Sequence, residues 1–253
     1  MRNYALEQNK DGFVVGVSGG LDSAVASSLA ARTGLTVLCM QLPIHQAKDE
    51  DARARAHCTA LCARYAHVRS VYTDLSSLFD TFAAAMGGGT SGDDVELARV
   101  NTKSRLRLAA LYYHATAGNL LVIGTGNRVE QRGVGFFAKY GDGPMDMAPL
   151  TKLTKSQVHQ LGEQLGVERA ILKAPPTDGL WPDGRTDLDQ IGATYPELEW
   201  AMDLREGQVD TEVLLLTERQ KTVLEIYDRR HADNRHKRID PPEGPIPASL
   251  LQN

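Results

Sequence analysis

The sequence predicts an α/β fold: a doubly wound, Rossmann-like parallel sheet of about five strands with flanking helices. Short apolar segments alternate with longer helical segments along most of the chain. Strands buried on both faces are continuously apolar, and a right-handed crossover helix leads from each strand to its parallel neighbour. A glycine-bearing turn at 18–23 joins the first strand to the first long helix. Together these observations indicate a nucleotide-binding type of sheet.

The strands are predicted from apolar runs bounded by turn residues. They are expected at 13–17, at 35–42, where Pro43 ends the run, at 68–72, and at 120–124, with a short fifth strand within 145–150. The carboxyl ends of parallel strands meet at one edge of the sheet, so the residues after 17, 42 and 124 should lie close together.

The helices are predicted from period, acidic starts and caps. They are expected after the turn at 18–23 and at 49–65, 75–86, 93–117, 154–165, 188–191, 195–202 and 211–231. The helix at 93–117 opens with acidic residues, which the helix dipole favours. Thr154 is a suitable N-cap and Gly166 a suitable stop for the helix at 154–165. Residues 239–253 form a proline-rich tail that we expect to be irregular.

The turn at 18–23 has the chemistry of an anion site. Gly19 and Gly20 let the backbone turn tightly next to a ligand, and the helix that follows presents unpaired N–H groups. Ser18 and Ser23 add hydroxyl donors. Asp22 would repel a bare phosphate unless a divalent cation lay between them, so the turn suits pyrophosphate with magnesium. It lacks the Gly-Lys-Ser/Thr ending of a Walker A loop.

Composition excludes several classes of protein. The 253 residues carry a net charge of −4, which gives no support for binding a nucleic acid. Apolar runs fall short of the ~18 residues of a membrane helix, and the first residues lack the apolar core of a signal peptide. Three cysteines fit a reducing compartment. We therefore expect a cytoplasmic protein that binds neither nucleic acid nor a membrane.

The Ser-Gly-Gly-Leu-Asp-Ser turn resembles the phosphate loop of the ATP pyrophosphatases, also called adenine nucleotide alpha hydrolase-like proteins. Further segments resemble one member family, the NAD synthetases, in that family's order and over nearly the whole chain. These segments are 101–107, 124–130, 135–143, 148–150, 176–181 and 236–237. The resemblance implies the ATP pyrophosphatase fold in a single synthetase domain over 1–253, without a glutaminase domain, so free ammonia is the expected nitrogen source.

The resemblance also implies a reaction, with ATP as cosubstrate and Mg²⁺ as cofactor. A ligase of this family amidates nicotinic acid adenine dinucleotide (deamido-NAD) with ammonia through an acyl-adenylate, giving NAD, AMP and pyrophosphate. By the resemblance, Asp22 and Glu130 are the magnesium ligands. The implied ATP-binding residues are Gly16, Val17, Ser18, Gly19, Gly20, Leu21, Asp22, Ser23, Thr125, Lys155 and Thr177.

A second set of residues is implied for the acid substrate, whose phosphates and riboses suit basic and carboxylate groups respectively. The set consists of Arg105, Lys139, Asp146, His236 and Lys237. Asp142 is a hypothesis for orienting or deprotonating ammonium, and completes the expected catalytic group of Asp22, Glu130, Lys155 and Asp142. Arg107, two residues along the helix from Arg105, faces elsewhere and is as readily a surface arginine.

The family forms homodimers, and the apolar faces of 100–113 and 211–227 are the candidate interfaces. Two other functions stay open on sequence grounds. One is another ATP pyrophosphatase, either tRNA-modifying or GMP-forming. The other is a non-catalytic nucleotide-binding module, which would have no need to keep Asp22, Glu130 and Lys139 together.

Overall fold

The computed structural model of the protein describes residues 1–87, 92–143, 145–208 and 216–245. Its centre is a parallel sheet with strand order β3-β2-β1-β4. The strands are β1 (Gly12–Gly16), β2 (Thr36–Gln41), β3 (Val68–Tyr72) and β4 (Leu120–Ile123). The chain moves outward from β1 to β3 and then returns to the other side of β1. Crevices at such a reversal are where doubly wound sheets bind ligands.

Helices cover both faces of the sheet. In the first half of the chain they are α1 (Arg2–Glu7), α2 (Leu21–Ala31), α3 (Lys48–Arg64), α4 (Ser76–Ala85) and α5 (Asp93–Ala117). After β4 come a π-helical segment (Val129–Val134), α6 (Lys155–Leu165), α7 (Arg169–Leu172), α8 (Asp187–Ile191), α9 (Tyr195–Arg205), α10 (Glu218–Asp233) and α11 (Arg235–Arg238). Among the described residues, no helix combines the length and apolar character needed to cross a bilayer.

Successive side chains of each strand point to opposite faces of the sheet, so the sheet has a separate apolar core on each face. Val15 of β1 points toward α2, α3 and α6, and its neighbour Val14 points toward α4 and α5. Both valines are fully buried. The two layers therefore flank the carboxyl ends of the strands from opposite faces of the sheet. Side chains from either layer can reach a ligand that binds there.

A third apolar cluster lies away from the sheet. It joins the π-helical segment to α9 and α10, with Leu198 fully buried and Val223 and Tyr227 nearly so. This cluster anchors α9, whose first residue, Tyr195, reaches back toward β4. The C-terminal helices thus become part of the wall around the sheet edge.

The predicted fold class is confirmed, with one strand fewer. The expected strand within 145–150 is wrong: it is reduced to a single bridge between Ile123 and Met147. The physical reason is Asp146, whose Oδ2 accepts the Val122 N–H at 2.8 Å. A side chain therefore occupies the edge donor of β4 that another strand would have used.

The helix predictions agree closely at the start of the chain and less well at its end. The helix at 93–117 has the predicted bounds, and Thr154 and Gly166 cap α6 as expected. The helix predicted at 211–231 starts later, at Glu218, after a Thr217 capping box; residues 211–215 lie outside the described part. Helices α1, α7 and α11 were not expected. Residues 239–245 form no helix or strand, and residues 246–253 of the predicted tail lie outside the described residues.

Candidate active site

A cavity of about 850 Å³ opens at the carboxyl ends of β1, β2 and β4. Its walls come from the turn after β1, the start of α6, the loop before α8 and the start of α9. All but one of the residues predicted to bind ATP line it. They are Gly16, Val17, Ser18, Gly20, Leu21, Asp22, Ser23, Thr125, Lys155 and Thr177.

The phosphate loop is a compact turn whose hydroxyls hold each other. Ser23 Oγ donates to Gly20 O at 2.9 Å and accepts the Ser18 N–H at 3.2 Å. Helix α2 begins at Leu21, and Gly20 as its N-cap offers no side chain to accept the first amides. Those amides are left for a ligand, and an anion is favoured there by the helix dipole.

Gly19 does not line the cavity; it packs the loop against α3 instead. Its φ is 86°, and a Cβ at this position would lie 2.3 Å from the carbonyl oxygen of Glu50 on α3. The same glycine carbonyl accepts the Arg53 Nε–H at 3.2 Å. The loop is therefore pressed against α3, which a side chain would prevent.

Asp22, Glu130 and Lys155 meet at the floor of the cavity. Lys155 Nζ donates to Asp22 Oδ2 and lies 3.6 Å from Glu130 Oε1. Burial raises the pKa of Asp22 to about 6, although Lys155 opposes that shift. Burial acts to lower the pKa of Lys155, but Asp22 and Glu130 outweigh it and hold that pKa above its usual range. Lys155 is thus a firmly charged ammonium shared between two carboxylates.

Two residues missed by sequence reasoning, Tyr195 and Asp187, complete this cluster. The Tyr195 hydroxyl lies 2.5 Å from Glu130 Oε1 and 2.8 Å from Asp187 Oδ2. Burial, and next the charge of Glu130, raise the pKa of Asp187 to about 7. Both residues directly follow N-cap threonines, Thr186 and Thr194, so in sequence they read as ordinary first-turn residues. Only the folding back of α8 and α9 brings them here.

The carboxylate oxygens on the cavity floor suit a hard cation such as magnesium, provided that a bound substrate supplies some of the coordinating oxygens. Asp22 Oδ1 and Asp187 Oδ1 are buried, and neither has a hydrogen-bond partner within the described chain. Over that same part of the chain, no three acidic, histidine or cysteine side chains are close enough to enclose a metal ion. Magnesium commonly takes one or two carboxylates and completes its shell with water and substrate phosphates. Asp22 and Glu130 could hold such an ion beside a bound triphosphate.

Asp142 lines the same cavity from the loop after the π-helical segment. Its Oδ1 accepts the Ala138 N–H at 2.8 Å, which fixes the carboxylate in place. Burial raises the pKa of Asp142 to about 6. A carboxylate poised at this pKa can exchange a proton with a ligand near neutral pH.

The residues predicted to hold the acid substrate lie outside the cavity wall. Four of them cluster around the loop before Asp142: Arg105 Nε donates to Lys139 O, Lys139 Nζ to His236 O, and Lys237 Nζ to Gly135 O and Phe137 O. Asp146 lies apart, where its Oδ1 accepts the Tyr112 hydroxyl at 3.0 Å. The structure thus gathers the four basic residues and places Asp146 on the edge of β4.

Comparisons with known proteins agree with this geometry. The sequence profile of the NAD synthase family matches residues 1–241. The chain is 36% identical over 238 residues to the NH(3)-dependent NAD(+) synthetase of Methanosarcina mazei, covering 91% of this chain and 89% of that protein.

Solved structures are similar over almost the whole chain. NMN synthetase from Francisella tularensis matches with a TM-score of 0.82 and 32% identity, covering 97% of this chain and 94% of that one. The NH3-dependent NAD synthetase from Campylobacter jejuni matches with a TM-score of 0.77 over 96% and 93% of the two chains. Its 21% identity makes it a likeness of fold alone.

The packing of Gly19 against α3 gives a test of the phosphate loop. We expect Gly19→Ala to lower the free energy of unfolding by more than the ~1–2 kcal/mol that a left-handed backbone costs a residue with a side chain, because the new Cβ also meets Glu50 O. ATP affinity should fall with it. Urea unfolding and calorimetric titration with ATP measure the two effects.

The matched control is Gly207→Ala, which has a similar φ of 71° but, apart from its chain neighbours, no atom of the described residues within 4 Å of the added Cβ. It should lose stability by the backbone cost alone and keep its ATP affinity. Equal losses in the two variants, with ATP binding intact in both, would show that the loop does not depend on contact with α3.

Proposed function

The chain belongs to the NAD synthase family, and from that premise we propose that it is an ATP-dependent ligase that amidates deamido-NAD with ammonia. The products are NAD, AMP and pyrophosphate. The observation that carries the proposal is the shared cavity, whose wall contains the phosphate loop, the Asp22–Lys155–Glu130 cluster and Asp142. The loop and the cluster suit a triphosphate, and Asp142 suits an amine.

The reaction needs activation because a carboxylate is a poor acyl donor. A carboxylate oxygen of the acid attacks the α-phosphorus of ATP, the bond to the β-phosphate oxygen breaks, and pyrophosphate leaves. Ammonia then attacks the acyl carbon of the mixed anhydride, AMP leaves and one proton is released. No step needs a covalent protein nucleophile, so the chain contributes by positioning and charge stabilisation.

The residues of the cavity floor serve the first half-reaction. The amides at the start of α2 and the hydroxyls of Ser18 and Ser23 would hold the departing pyrophosphate, and Lys155 would neutralise charge on it. Asp22 and Glu130 would hold Mg²⁺, which supplies Lewis-acid stabilisation of phosphate oxygens when bound. Thr125 and Thr177, also on the cavity wall, are proposed nucleotide contacts.

Asp142 is proposed to serve the second half-reaction. At neutral pH its carboxylate is ionised, and it lines the cavity together with Gly141 and Phe137. An ionised carboxylate attracts ammonium and can take a proton from it, which leaves the neutral amine that attacks. The Ala138 N–H keeps the carboxylate oriented during this exchange.

Arg105, Lys139, Asp146, His236 and Lys237 are proposed to bind the distal part of the dinucleotide. A second candidate substrate is the mononucleotide acid, which would lack that distal part. The observation that favours it is the likeness, at 32% identity over nearly the whole chain, to a protein named NMN synthetase. The two substrates share the reacting carboxylate, so the cavity chemistry is the same for both.

Family membership disfavours the two other functions left open by the sequence, a tRNA-modifying or GMP-forming enzyme and a non-catalytic module. A cytosolic location is part of the proposal. It is supported by three free cysteines, Cys39, Cys58 and Cys62, none of which is in a disulfide.

A homodimer is also proposed. The apolar face of α10 is used inside the chain, where Val223, Leu224 and Tyr227 pack with α9. Residues 216–227 of the predicted interface therefore offer less apolar surface to a second chain, and 211–215 lie outside the described residues. Helix α4 and the residue that follows it present Leu78, Phe82 and Met86, spaced four apart and 52%, 40% and 67% exposed. That stripe, beside α5, is the proposed contact between two copies.

The proposed reaction is tested by product analysis. The purified chain, given ATP, Mg²⁺, ammonium and deamido-NAD, should form NAD, AMP and pyrophosphate in equal amounts. Asp22→Asn should lower kcat at least about a hundredfold, because it removes a charge from the metal and Lys155 cluster. Release of ADP and orthophosphate instead would overturn the proposal.

The same assay separates the two acids. We expect kcat/KM to be higher for the dinucleotide acid than for the mononucleotide acid, since the basic cluster around Lys139 and Lys237 offers sites for the extra phosphate. A higher kcat/KM for the mononucleotide acid would make the second candidate the correct one.

Replacing Asp142 by asparagine should raise stability at neutral pH and lower activity. A raised native pKa means that the folded protein holds a proton which the unfolded chain has already released, so stability falls as pH rises from about 4 to about 6. Asp142→Asn has no carboxyl group at this position, so its stability does not fall over this pH range for that reason. We expect it to match the wild type near pH 4 and to be more stable at pH 7 by on the order of 1–3 kcal/mol.

Activity should move the other way. Asp142→Asn should lower the rate at limiting ammonium and remove the rise in rate across pH 6. Urea unfolding at both pH values and initial rates against ammonium measure these effects. An unchanged ammonium dependence would remove Asp142 from the second half-reaction.

The proposed dimer is tested by light scattering after size exclusion. The wild type should have twice the mass of one chain, and Phe82→Asp should have the mass of one, because it places a charge in the α4 stripe. Leu6→Asp, at a 51% exposed position on α1, is the matched control and should stay dimeric. A dimeric Phe82→Asp would place the interface elsewhere.

A further inference from the structure

Arg107 enters the cavity from α5, on the opposite layer of the sheet from Lys155. Its Nε–H donates to Leu42 O at 2.9 Å and its Nη2 donates to Gln46 Oε1 at 2.8 Å. Both acceptors are neutral. They fix the plane of the guanidinium beside the carboxyl end of β2, where Arg107 forms part of the cavity wall.

The charge of Arg107 has no partner of opposite sign in contact with it. Within the described residues, no carboxylate oxygen lies within 4.0 Å of its guanidinium. Burial lowers the pKa of Arg107 to about 10, so it stays a cation at neutral pH. The acidic groups that stabilise it act from farther away, Asp142 most strongly and then Glu50 and Asp178.

The cations of the cavity wall therefore differ. Lys155 is already paired with Asp22 and Glu130, and Arg53 is paired with Asp49. Arg107 keeps both hydrogens of Nη1 and one hydrogen of Nη2 without a partner among the described residues, so it has donors left for the two oxygens of a carboxylate. An enclosed charge of this kind is costly unless a ligand supplies the counter-ion.

We propose that Arg107 binds the carboxylate of the acid substrate and presents it for adenylation; this inference rests on the proposed function. The triphosphate already has its own cradle in the amides of α2 and in Lys155. Asp142 is the carboxylate whose charge acts most strongly on Arg107, so a carboxylate held by Arg107 would lie toward the Asp142 side of the cavity. That is where the acyl carbon must be when ammonia, bound by Asp142, attacks it.

The experiment compares an acid with its amide. Calorimetric titrations without ATP, so that no turnover occurs, measure the binding of deamido-NAD and of NAD, which differ only in the carboxylate. Arg107→Gln should weaken binding of deamido-NAD at least about tenfold, as expected for a charged hydrogen-bonded pair, and change binding of NAD less than about twofold. Arg107→Lys, which keeps the charge but loses the two-pronged edge, should fall between the wild type and Arg107→Gln.

The control is Arg99→Gln, on the same helix but with its guanidinium near Glu96 and Phe79, outside the cavity wall. It should bind both ligands as the wild type does. Circular dichroism establishes that each variant is folded, and should Arg107→Gln fail to fold, Arg107→Lys carries the comparison with the same expected preference for loss of acid binding.

Three results would overturn the inference: unchanged binding of deamido-NAD, equal losses for acid and amide, or a loss confined to an ATP analogue. Failure of the proposed function looks different, because the wild type itself would then neither bind deamido-NAD nor form NAD. If the wild type prefers the mononucleotide acid, the same titrations are made with that acid and its amide, and the expected outcomes are unchanged.

Discussion

The site depends on an excess of buried negative charge around one ammonium. Asp22, Glu130 and Asp187 surround Lys155 and the Tyr195 hydroxyl in an enclosed floor. One positive charge cannot balance three carboxylates. Burial, together with the neighbouring charge of Glu130, raises the pKa of Asp22 and of Asp187. A phenol has one proton to donate, so Tyr195 satisfies only one of its two carboxylate neighbours at a time. The chain by itself is thus short of positive charge in a place where a divalent cation would supply it.

The rest of the fold holds that cluster in place from several directions. Asp22 comes from α2, Glu130 from the π-helical segment, Lys155 from α6 and Tyr195 from α9. These elements pack in two separate apolar clusters, one against the sheet and one between α9 and α10. The charges meet only when both clusters are formed, because neither cluster by itself contains all of the charged residues. Stability of the C-terminal helices is therefore a condition for the geometry of the phosphate site.

The sequence predicts more of the strands and their edge than of the walls above them. The turn at 18–23 and Glu130 could be placed together because parallel strands and their following loops share one edge, whereas Lys155 was assigned through the family resemblance. The helix at 93–117, with its acidic start, was predicted with the bounds that it has. The strand within 145–150 was wrong because the side chain of Asp146 can take the place of a strand's carbonyl, which apolar character alone does not reveal. Tyr195 and Asp187 could not be predicted, since their role arises from how α8 and α9 fold back. Arg107 was underrated because helical spacing shows that it faces away from Arg105 without showing what it faces.

The basic cluster of Arg105, Lys139, His236 and Lys237 suggests how one cavity could serve both the dinucleotide acid and the mononucleotide acid. Lys237 gives two of its three N–H donors to Gly135 O and Phe137 O, and Lys139 gives one to His236 O. One donor of Lys237 and two of Lys139 are not used in these bonds, so the cluster can bind an anion without breaking its own contacts. Because it lies outside the cavity that holds the reacting groups, it would add affinity for a distal phosphate while leaving the carboxylate, the α-phosphorus and the amine where they are. Chain length in the substrate would then be a matter of binding energy at this cluster, and the chemistry at Asp22, Arg107 and Asp142 would be the same for either acid.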